Sequence, residues 1–110
     1  MAEAPDRGDL VWLTFSPQAG HEQAGRRPAL VLSPKAYNAK AGLALMCPVT
    51  SSVKGYPFEV RVTEAGISGV VLADQVRSLD WRARRIEREA RASAELVADV
   101  IAKIQALLGD

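Results

Sequence analysis

The chain has 110 residues, 48% of them apolar, and a formal net charge of +1. That is enough for one modest core, and it carries no bulk positive charge of the kind that coats nucleic acid. A lone cysteine excludes an intrachain disulfide, and one Cys with one His cannot complete a zinc site. No apolar run approaches the ~20 residues of a membrane span and no signal-peptide pattern opens the chain, so the expected location is the cytoplasm.

Residues 1–7 are expected to form a poorly ordered tail, and residues 8–110 a single domain. Residues 10–15, rich in β-branched and aromatic side chains, read as a strand ending at the turn signal Ser16-Pro17. Residues 20–28 then gather His21, Glu22, Gln23, Arg26 and Arg27 on a stretch bounded by Gly20 and Pro28. Polar chemistry on a loop anchored by β-structure at both ends is where a small protein places a site.

Residues 29–32 are a short apolar run suited to a buried strand, stopped by Pro34, and residues 35–40 fit one helical turn. Residues 43–49 read as a third strand, with Pro48 implying a bulge or an edge. Cys47 within it is expected to be a core or interface thiol. In residues 58–62, Phe58, Val60 and Val62 alternate with Glu59 and Arg61, the period of a half-exposed strand. Residues 70–72 and 76–81 add two more strands, while residues 86–92 read as peripheral.

Arg77, Arg82, Arg84, Arg85, Arg88 and Arg91 crowd one stretch, offset by Asp80, Glu87 and Glu89. Either a solvated strand and turn or a phosphate-facing patch fits that pattern. Trp12 and Trp81 are expected in the core or an interface. After Ser93, a cap candidate, the period changes. Leu96, Val97, Val100, Ile101, Ile104, Leu107 and Leu108 form one helical stripe, with Gly109 as its stop. Short strands closed by one helix predict a mainly β fold, a small bent antiparallel barrel with a C-terminal α-helix.

Five blocks carry a family likeness. Gly8 to Trp12 leads into the His21–Arg27 loop and the segment from Pro28 to Pro34. Pro48-Val49-Thr50-Ser51, Lys54 to Val60, Gly69 to Val76, and Trp81-Arg82-Ala83-Arg84 follow in order. Together they resemble the MazF/PemK/Kid toxins, bacterial sequence-specific endoribonucleases, and are closest to the MazF branch. The resemblance implies an SH3-like barrel of the CcdB/PemK type working as a homodimer. It also implies an mRNA interferase of a type II toxin–antitoxin system, with single-stranded RNA as substrate and a MazE-like antitoxin as partner.

RNA can be cut without a metal or cofactor when the ribose 2′-OH attacks phosphorus, leaving a 2′,3′-cyclic phosphate and a 5′-OH. Arg27 offers the fixed donor fork that matches phosphate oxygens, and Pro28 biases it toward an extended backbone. The resemblance places the family's active-site arginine at Arg27 and its functional threonine at Thr50. Taken alone, those residues also fit a surface arginine and a turn threonine. His21 and Glu22 are the acid/base candidates. Gln23, Arg26, Ser51, Lys54, Tyr56, Asp74, Gln75 and Arg84 are expected RNA contacts, with Tyr56 a stacking platform. In the Kid branch an arginine precedes the aspartate by two residues; Leu72 stands there, so Asp74 is assigned to RNA binding. Two other readings share the fold: a CcdB-like gyrase poison acting by binding, and a non-catalytic RNA-binding barrel. The C-terminus lacks the aromatic and small residues of the first.

Overall fold

The computed structural model describes residues 3–14, 26–64 and 66–109. Chain order is β1 (Asp9–Thr14), β2 (Arg26–Val31), α1 (Lys35–Ala41), β3 (Ala44–Thr50), β4 (Glu59–Glu64) and β5 (Ile67–Leu72). A 3₁₀ turn (Ala73–Gln75), β6 (Arg77–Leu79), β7 (Glu87–Arg91) and α2 (Ala94–Leu108) complete it. All the pairings are antiparallel, in the order β4-β5-β3-β2-β1-β7, with β6 also on β3. The expected mainly β fold with a closing helix is what forms.

The sheet bends at β3, because that strand changes partner along its length. Ala44 to Met46 pair with β6, and Val49 and Thr50 pair with β5. Pro48 therefore lies on a central strand, correcting the edge expectation. Its nitrogen faces the interval between the two partners, where a missing N–H leaves no ladder bond open.

An apolar cluster fills each face of the sheet. Leu10, Leu30, Cys47, Val62 and Val71 pack under Leu96, Val97 and Val100 of α2. Val11, Leu13, Val31, Met46, Leu79 and Trp81 form the other cluster. Both ends of α2 are local chemistry: Ser93 accepts from the Leu96 amide at 3.1 Å, and the Gly109 amide reaches the Ala106 carbonyl.

Two regions depart from the sequence reading. The loose tail expected before Gly8 is packed from Glu3 onward. Pro5 is buried and its carbonyl accepts from Asn38 Nδ2 at 2.8 Å, while Asp6 accepts from the Lys35 amide at 2.9 Å. Those amides, of Lys35 and then Arg7, hold the Asp6 carboxyl below its ordinary value. Residues 86–92, read as peripheral, supply β7, which pairs with β1 from Asp9 to Trp12. There Arg91 donates to the buried Asp9 carboxylate at 3.0 Å, with Arg88 at 3.6 Å.

Candidate active site

The phase of the β2–β3 ladder creates the site. Leu32 donates to the Leu45 carbonyl at 2.8 Å, and Ala29 stands opposite Pro48. Hydrogen-bonded positions in an antiparallel pair alternate. The next one beyond Leu30 and Cys47 would join Pro28 to Val49, but Pro28 has no N–H to give. The ladder ends at Ala29; carried two residues further, the same register would set Arg27 opposite Thr50, and both residues line one cavity. This is a non-hydrogen-bonded position, where opposing side chains come closest.

Past the end of the ladder lies a cavity of about 460 Å³, lined among others by Trp12, Arg27, Pro28, Val49, Thr50 and Ser68. Arg27 is exposed, and its side chain makes no hydrogen bond or ion pair among the described residues. Its fork is available to an anion. Thr50 Oγ1 accepts from the Ser52 amide at 3.1 Å, which occupies a lone pair and leaves the hydroxyl proton to donate outward.

β5, the neighbouring strand in the sheet, fixes the Thr50 main chain from the side. Gly69 has φ +138°, and a Cβ there would lie 2.9 Å from the Thr50 carbonyl carbon and closer still to its oxygen. Only glycine lets the two backbones approach this closely. The importance of Gly69 was hidden in the sequence because it depends on which strand lies alongside.

Thr50 also borders a second cavity, about 220 Å³, with Lys54, Tyr56, Leu72, Asp74 and Gln75 among its lining. The expected contacts thus fall into two seats that share Thr50: Arg27 and Ser51 in one, Lys54, Tyr56, Asp74 and Gln75 in the other. Tyr56 stacks on Phe58 with ring centroids 5.1 Å apart and keeps its other face exposed. Trp12, assigned to packing, packs on the α2-side cluster and also walls the larger cavity.

Other expected contacts are engaged elsewhere. Arg26 touches the larger cavity, but its guanidinium donates to Thr14 Oγ1, to the carbonyls of Arg84 and Arg85, and to Glu87 Oε1 at 2.6 Å. It clamps the turn before β7, where Arg85 holds a left-handed φ of 56°. Arg84 donates to the Thr14 carbonyl at 3.1 Å and lines neither cavity. Of the remaining arginines, Arg88 and Arg91 face Asp9, and Arg82 lies 4.7 Å over the Trp81 ring. His21, Glu22 and Gln23 lie outside the described residues.

The model of the PemK-like, MazF-like toxins of type II toxin–antitoxin systems matches residues 6–108. The chain belongs to this family. It is 50% identical over 105 residues to the endoribonuclease toxin MazF of Escherichia coli K12, spanning 96% of this chain and 95% of that protein. MazF from Deinococcus radiodurans superposes with a TM-score of 0.88 at 62% identity, covering 99% of this chain and all of that one. A MazE–MazF complex from the same organism matches equally well, with a TM-score of 0.88, 61% identity and 96% and 97% coverage.

Proposed function

We propose that this protein is an endoribonuclease toxin of the MazF kind, cutting single-stranded RNA where the Arg27–Thr50 pair faces the larger cavity. The observation that carries the reading is the end of the ladder before Pro28, which leaves an unspent guanidinium and a hydroxyl with a proton to donate on the lining of one cavity. Membership of a family whose relatives are named endoribonucleases supports it.

The chemistry follows from what the two groups can do. The ribose 2′-oxygen attacks phosphorus as its proton passes to a base. The bond to the 5′-oxygen breaks, and that oxygen takes a proton as it leaves. Negative charge collects on the non-bridging oxygens in between. Arg27 meets that charge with a bidentate fork, and Thr50 adds a hydroxyl donor. Arginine is too weak an acid to shuttle the protons itself. His21 and Glu22, on the segment leading into Arg27, are assigned that task. The products are a 2′,3′-cyclic phosphate and a 5′-OH, with no metal in the scheme.

The proposal extends, on the family likeness, to a homodimer working in the cytoplasm and, by analogy with the Deinococcus complex, to a MazE-like antitoxin that keeps RNA from the same cations. Incubation of the purified protein with a long transcript in EDTA, followed by end analysis, tests the reading. Discrete fragments with 5′-OH ends, lost in Arg27→Ala, are expected. Intact RNA together with gyrase-dependent DNA breakage would sink it.

A further inference from the structure

The segment that carries Lys54 and Tyr56 past Thr50 belongs to neither strand, yet Glu59 ties its far half down. Glu59, the first residue of β4, pairs with Leu72 and is thereby anchored two residues before Asp74. Its carboxylate reaches back over the turn. Oε2 accepts from the Lys54 amide at 3.2 Å and Oε1 from the Gly55 amide at 3.0 Å. The Glu59 amide in turn donates to the Tyr56 carbonyl at 3.1 Å. Gly55, at φ +82°, turns the chain so that two successive amides converge on one carboxylate.

We propose that Glu59 is a positioning residue for substrate selection: it locks residues 54–56 as one wall of the smaller seat, so that Tyr56 and Lys54 meet the nucleotide beside the cut in a fixed arrangement. This rests on the reading that RNA is cut at Thr50, with one neighbouring nucleotide in that seat. The carboxylate is at first sight a misplaced charge, since RNA is a polyanion. Its two backbone bonds explain why a negative group stands there. They also set the role apart from simple electrostatics, because the two accounts predict opposite signs. Removing a negative charge beside the substrate path tightens RNA binding by field alone. Removing a lock on the wall weakens it, because the segment must then be ordered at each binding event.

The test uses the full-length protein and Glu59→Ala and Glu59→Gln, with a long single-stranded transcript whose cut sites are mapped and an oligonucleotide spanning its strongest site. For Glu59→Ala, KM is expected to rise about 5–10-fold, with the smaller share of the effect on kcat, and extra cut sites appear in the transcript. Glu59→Gln keeps one acceptor oxygen and falls in between. Hydrogen exchange of the Lys54 and Gly55 amides, read without any RNA, is expected to quicken in both variants. An unchanged or lowered KM, or unchanged exchange, overturns the proposal. Arg27→Ala in the same assay separates the two readings. If it cuts normally, the site reading fails; if it is inactive while the Glu59 variants behave as wild type, only the role of Glu59 fails.

Discussion

Two polar regions sit at opposite ends of the β2–β3 pair, and they differ in how their groups are spent. At the Ser33 end, Asn38 is fully buried. Its Oδ1 accepts from Ser33 Oγ at 2.6 Å, and its Nδ2 donates to the Pro5 and Ser33 carbonyls. Its own carbonyl accepts from Trp81 Nε1 at 3.0 Å, and Ser33 Oγ accepts from the Leu45 amide at 2.8 Å. Asn38, through its side chain and its carbonyl, and Ser33 thus tie the N-terminal segment, the end of β2, β3 and the Trp81 turn together. At the Arg27 end the ladder stops and the guanidinium has no partner among the described residues. A polar group that must be satisfied to be buried builds structure; one left unsatisfied at a cavity mouth is available to a ligand.

The sharpest form of that contrast lies in adjacent residues. The Arg26 guanidinium makes four hydrogen bonds and that of Arg27 none among the described residues. Arg27→Ala is expected to raise the cleavage barrier by roughly 3–4 kcal/mol while leaving the urea midpoint nearly where it was. Arg26→Ala should do the reverse. Its bonds are partly exposed, so about 1 kcal/mol of stability goes, and the larger share of its effect is on folding. Single-turnover cleavage alongside urea unfolding reads both. Equal losses of activity at equal folded fraction would erase the distinction.

At the other end, Asn38→Ala is expected to cost about 3 kcal/mol in urea unfolding, because it strands the Ser33 hydroxyl and opens a buried polar gap. The kcat of the folded fraction should hold. A loss below about 1 kcal/mol would mean that water replaces the amide and that this corner is less closed than its bonding implies.

Gly69 joins stability to chemistry. Gly69→Ala forces an L-residue into a left-handed φ and drives a methyl into the Thr50 carbonyl. The expected loss is about 1–3 kcal/mol of stability, with a drop in kcat because Thr50 moves with its main chain. On a Thr50→Ala background the further loss in kcat should shrink. Full additivity would show that Gly69 acts elsewhere.

How far the sequence reveals this contrast depends on where each signal resides. α2 was legible because its apolar stripe, its Ser93 cap and its Gly109 stop are all local. β7 was not, since Glu87-Arg88-Glu89-Ala90-Arg91 is an edge strand with solvent on much of its surface and no apolar alternation. Arg27 and Thr50 were reached through a family likeness, and their pairing required the strand register. Pro28 was readable as a backbone restraint, but its role in ending the ladder depends on which of its sides faces β3. Glu59 looked like the polar half of an alternating strand. Only the fold of the preceding turn shows what its carboxylate holds.

Cys47 gives the mildest test. It lies on β3 between the two polar ends, fully buried in the α2-side cluster. Burial, with a smaller contribution from Asp74, pushes its thiol up to about 12 from an ordinary 9.0. The sign is that of a group whose proton is held more tightly when folded. Its contribution is fully present below about pH 9 and is lost as pH rises toward 12. Alkylation of the native protein at pH 8 should therefore be slow and limited by opening of the fold, since the thiolate is the nucleophile. It should accelerate in Asn38→Ala by the factor that variant adds to the open population. Rapid alkylation of the native chain, equal in both proteins, would mean that β3 opens locally without the Asn38 corner, so that the two ends of the strand pair are not held by one cooperative core.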